Sequence, residues 1–63
     1  CTVPSLITFP STSAQSRWSN AGFTGTVIVE PAVQSVYKIG WQSLIAGTSE
    51  LCTSGITVRQ TAP

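Results

Sequence analysis

A chain of 63 residues has room for one domain, residues 1–63, and buries only about 60% of its unfolded surface, so its core is marginal without a staple. Its charges are Arg17, Lys38 and Arg59 against Glu30 and Glu50, with no histidine. That sparse set excludes the clustered cations of a nucleic-acid footprint and the imidazole of a Ser-His or Cys-His pair.

Residues 1–10, "CTVPSLITFP", read as an extended segment punctuated by Pro4 and Pro10. "STSAQSRWSNAGF" then carries the one helical signal. Thr12 and Gln15 have the spacing of a capping box. Ala14, Trp18 and Ala21 recur at i, i+4 and i+7, one face of a helix, and Gly22 stands where a left-handed residue would end it. So short a helix is unstable alone, so Trp18 must pack against something.

A sheet is the expected partner. "FTGTVIVE" places Phe23, Gly25, Val27 and Val29 on one face and Thr24, Thr26, Ile28 and Glu30 on the other, and Pro31 ends the run. "VYKIGWQ" alternates again, with Tyr37, Ile39 and Trp41 inward and Lys38, Gly40 and Gln42 outward. "AGTSELCTSG" is turn chemistry around Gly47 and Gly55. "ITVR" then turns Ile56 and Val58 inward and Thr57 and Arg59 to water. The sum is an α+β fold, one short helix on a small three-stranded sheet.

The only cysteines are Cys1 and Cys52. Bonded to each other they would close most of the chain into a loop, worth roughly 4 kcal/mol on the chain-entropy model. Such a bond belongs outside a reducing cytosol. Two alternatives stand beside it: a buried free thiol with a frayed terminal one, and a lipid-modified Cys1 that would leave Cys52 without a partner. No CxxC pair accompanies them, so no metal site is expected. No apolar run approaches a membrane span, and any export signal is expected to lie outside this chain or to have been removed.

Enzymatic motifs fail one by one. Ser35 and Lys38 match S-x-x-K, but residues three apart on a strand point to opposite faces, whereas that motif needs a helical turn. Glu30 and Glu50 could serve as acid and base only across a cleft, which a domain this small is not expected to have. No P-loop lysine follows Gly47. The expectation is therefore a non-enzyme with no catalytic residue and no cofactor. Among the aromatics, Trp18 reads as core. Trp41 lies at a strand end beside Gln42 and Ser43, where it either packs in the core or at its rim, or offers part of an indole to a sugar face or peptide. Ile28, outward among threonines, is a lone surface apolar group or a contact with a neighbouring subunit.

In order, Val3-Pro4, Ala21-Gly22-Phe23, Gln42-Ser43, Gly47-Thr48 and Ser54-Gly55-Ile56-Thr57-Val58 resemble the PASTA domain, the small module of penicillin-binding proteins and bacterial serine/threonine kinases. The likeness runs over nearly the whole chain. Ser5 stands for the family's asparagine, Thr8 for the glycine that commonly follows, Leu44 for a proline, and Ser54-Gly55 inverts the closing Gly-Ser. The cysteines are not part of the general pattern. The resemblance implies a helix on a three-stranded sheet, with the chain start near the loop before the last strand. There the disulfide would pin the start onto the sheet.

It also implies an extracytoplasmic module of a bacterial surface. Two functions follow as expectations. One is a structural or assembly module, a spacer repeat or filament subunit whose partners are neighbouring copies or adjacent repeats. Low charge, abundant Ser/Thr and a "TAP" to "CTVP" repeat junction speak for it. The other is weak binding of muropeptide or peptidoglycan fragments. The candidate ligand or subunit contacts are Trp41, Gln42, Ser43 and Ile28, and the candidate disulfide is Cys1 with Cys52. Neither reading involves a nucleic acid or a membrane span.

Overall fold

The computed structural model describes residues 1–30 and 36–62. A 3₁₀ turn at Ser11–Ser13 leads into helix α1, Ala14–Asn20. Three strands follow: β1 at Val27–Glu30, β2 at Trp41–Gln42 and β3 at Ile56–Arg59. The sheet has the order β1-β3-β2. β3 is central, parallel to β1 (Val27 against Ile56) and antiparallel to β2 (Trp41 against Arg59). The α+β architecture expected from the sequence is the one found.

The helix packs through the face its spacing predicts. Ala14 and Trp18 are fully buried, Ala21 partly. Trp18 stacks on Phe23 with ring centroids 3.8 Å apart, and its indole N–H donates to the Ser54 carbonyl at 3.0 Å. Val3, Leu6, Val27, Tyr37, Ile39, Ile56 and Val58 complete the core. Gly22 ends the helix at φ +100, the left-handed conformation its position required.

The capping box does not form. The turn at residues 11–13 starts the helix without any side-chain cap. Gln15 is drawn elsewhere: its Oε1 accepts from the Val27 N–H at 2.9 Å, and its Nε2 donates to the Gly25 carbonyl at 3.4 Å. Gln15 therefore covers a backbone donor on the open side of an edge strand, and Pro31 follows that strand immediately in the sequence. The Gln15 contact blunts that edge; Pro31, expected to end the run, lies outside the described residues.

Two strands are shorter than the hydrophobic pattern suggests. Residues 23–26 still run beside 52–55, with Thr24 N–H donating to the Cys52 carbonyl at 2.7 Å. Regular pairing starts only at Val27. Residues 37–39 spend their backbone groups on the N-terminal segment instead. Thr8 N–H donates to the Ile39 carbonyl at 2.7 Å, and Ile39 N–H to the Phe9 carbonyl at 2.9 Å.

The chain start is held as a strap. Cys1 and Cys52 form a disulfide with their Cα atoms 5.1 Å apart. Val3 N–H donates to the Thr48 carbonyl, and Glu50 N–H to the Cys1 carbonyl, each at 2.9 Å. Both cysteines are solvent-exposed. The strap then turns at residues 6–9, where Phe9 N–H reaches the Leu6 carbonyl and Thr8 sits at φ +72. A left-handed third residue in a four-residue turn is a glycine position, and a β-branched residue there is strained. Among the described residues, no helix is long and apolar enough to cross a membrane.

Candidate functional site

Strand parity assigns Tyr37, Ile39 and Trp41 to one face, and for Tyr37 and Ile39 that holds: both are buried. Trp41 departs from it. Gly40 N–H donates to the Arg59 carbonyl at 2.9 Å, yet Trp41 is also the residue paired with Arg59. Two residues thus oppose one, a β-bulge, and the alternation shifts by one position. Beyond it Trp41 shares the outer face with Arg59, while Gln42 lies opposite Val58 on the core side. A glycine is needed at position 40, because a Cβ there would collide with the Gln60 carbonyl.

Gln42, expected to face water, is a latch. Its Oε1 accepts from the Leu6 N–H at 2.7 Å. Its Nε2 donates to the carbonyls of Pro4 at 3.0 Å and Leu44 at 2.8 Å. Both amide N–H groups are spent and the carbonyl oxygen is engaged, so the carboxamide ties the N-terminal strap to the sheet. Ser43 is partly committed. It exchanges two bonds with Thr57, its N–H donating to the Thr57 carbonyl and its Oγ accepting from the Thr57 N–H, each at 2.9 Å.

Two rows of side chains result on the outer face. Ile28, Thr57 and Ser43 form one; Glu30, Arg59 and Trp41 form the other. Ile28 is 54% exposed. Glu30 and Arg59 pair across the strands at 3.0 Å with both side chains about 40% exposed, which in that setting is worth under about 1 kcal/mol. Trp41 is half-buried. Three of the four candidate contacts therefore come together on one surface, and Gln42 is withdrawn from it. Thr57, Glu30 and Arg59 join them. Gly40 was the available signal, since an isolated glycine inside a strand pattern often marks a bulge.

The polar groups of the opposite face are all spent. Every buried side-chain nitrogen or oxygen among the described residues has a hydrogen-bond partner. The Tyr37 hydroxyl donates to the Glu30 carbonyl at 2.6 Å, with the Val58 carbonyl at 3.3 Å. Burial raises the Tyr37 pKa above its ordinary 10.0, and the negative Glu30 carboxylate adds to that. Ser35 of the S-x-x-K match lies outside the described residues, and Lys38 is exposed. Among the described residues there is no pocket, and no cluster of three or more metal-ligating side chains. What the described residues present is a weakly charged sheet surface without a pocket, with an indole and an isoleucine at opposite corners. No family model matches the chain, and neither does any curated protein or solved structure.

Proposed function

We propose that the chain is a non-catalytic, PASTA-like structural or assembly module of a bacterial surface protein, acting as a spacer repeat or filament subunit outside the reducing cytosol. The observation that carries this reading is the outer sheet face, where exposed Ile28 and half-buried Trp41 stand beside the hydroxyl groups of Ser43 and Thr57. A surface without a pocket fits another protein surface better than a small ligand, which needs a concave site. The exposed disulfide supports an oxidising setting. Two backbone features support the resemblance: Gly22 is left-handed where the family's Ala-Gly closes the helix, and so is Thr8 where the family commonly carries glycine. The half-exposed indole is the feature that favours the other reading, weak binding of muropeptide.

Light scattering across concentration, with and without muropeptide, separates the two. The structural reading expects mass to rise with protein concentration and to be indifferent to muropeptide. In a folded Trp18→Phe variant, quencher access to Trp41 should fall along the same concentration series. A saturable response to muropeptide, abolished by Trp41→Ala in a still-folded protein, would replace this reading with the binding one.

A further inference from the structure

The disulfide joins residues 51 apart, and eleven residues follow Cys52. Those eleven contain β3, the central strand, flanked on one side by β1 through four residue pairs and on the other by β2 through two. A pull applied between the two ends of the chain has one covalent route. It crosses from Cys1 to Cys52 through the sulfurs and then runs along β3. Helix α1, β1, β2 and residues 2–51 as a whole lie inside the closed loop and off that route.

We propose that the module is a tension link: the Cys1–Cys52 bond carries load past most of the fold and delivers it lengthwise onto β3. The proposal rests on the spacer or filament reading above, and it adds what such a spacer would do. β3 is already extended, so little length can be drawn from it. Its hydrogen bonds to both neighbours lie across the direction of pull, so sliding the strand requires them to break together. Bonds from flanking loops add to this resistance: Gly40 N–H to the Arg59 carbonyl and Ser43 N–H to the Thr57 carbonyl. With the disulfide open, the load would instead fall first on the strap. There residues 1–3 are held to residues 47–50 by a few bonds that can break in succession.

Single-molecule stretching with handles at the two chain ends tests this. After reduction, the gain in length should approach the extended length of the whole chain, about 220 Å, less the folded end-to-end distance, whereas the oxidised molecule should gain no more than about 40 Å, the reach of the residues after Cys52. The oxidised molecule should also open at the higher load. Opening at an equal or lower load than the reduced form would overturn the proposal, as would an oxidised gain well beyond that short span. Should reduction unfold the chain at rest, the comparison is made on the oxidised protein with the N-terminal handle moved to Lys38, the single lysine. That geometry bypasses the disulfide, so it should open at lower load and yield no more than about 90 Å; equal or higher load would again overturn the proposal. Light scattering reports on self-association independently, so either idea can fail while the other stands.

Discussion

The two faces of the sheet obey opposite rules. On the inner face every polar group is committed: Gln42 makes three hydrogen bonds, Trp18 and Tyr37 each donate to a backbone carbonyl, and the apolar side chains are sealed from water. On the outer face Trp41 is only half-buried, Ile28 stands in solvent, and the Glu30–Arg59 ion pair is exposed. Residue class does not sort the faces, since a glutamine went in and a tryptophan came out. Stability is therefore expected to reside on one face and association on the other.

The largest effect should come from the centre of the inner face. Trp18→Ala removes the stack on Phe23 and the bond to Ser54. It should cost about 3–5 kcal/mol, enough to unfold a domain of this size. Thermal melting followed by circular dichroism checks this, and a transition unchanged from the parent would put the helix face in doubt. Opening the disulfide comes next. It frees the strap that seats Val3 and Leu6 against the core and should cost about 4 kcal/mol on the chain-entropy model. Intact mass should rise by two hydrogens on reduction, and the melting temperature should fall steeply.

A sharper contrast comes from neighbours in the chain, Gln42 and Trp41. Gln42→Ala leaves the Leu6 N–H and two carbonyls without their partner and should cost about 1–3 kcal/mol. Trp41→Ala should change stability by less than about 1 kcal/mol while reducing concentration-dependent self-association. The reverse order, with Trp41 the costlier of the two in denaturant titrations, would erase the distinction between the faces. Between them in size is a gain. Thr8→Gly relieves a left-handed β-branched residue in the turn beside Leu6 and should stabilise the protein by about 1 kcal/mol. A loss of stability there would show that the Thr8 side chain does more than tolerate its backbone.

Much of the fold was legible because local rules and burial agreed. Ala14, Trp18 and Ala21 fall on one helical face, Gly22 alone suits the turn that ends it, and Ile56 and Val58 alternate with Thr57 and Arg59 as the central strand requires. Elsewhere a local signal met a stronger demand. Thr12 and Gln15 have capping-box spacing, but the Val27 N–H on an open strand edge claims the Gln15 carboxamide. Of the four candidate contacts, Trp41, Ser43 and Ile28 share a surface, and the sequence names all three without showing that they do.

Sequence by itself determined the class of fold, the helical face, the inward residues of the first and last strands, and the cysteine pair available to close the chain. These depend on the period of the chain and on the two thiols present. The Cys1–Cys52 bond expected from those two thiols is the one found, whereas tertiary structure alone decided the strand order and the facing of Trp41 and Gln42. The reason is physical: side chains alternate with a period of two, so one extra residue at Gly40 inverts everything after it. That extra residue is defined by the partner strand, where the Arg59 carbonyl takes the Gly40 N–H while Trp41 pairs with Arg59. No pattern within residues 36–42 contains that partner.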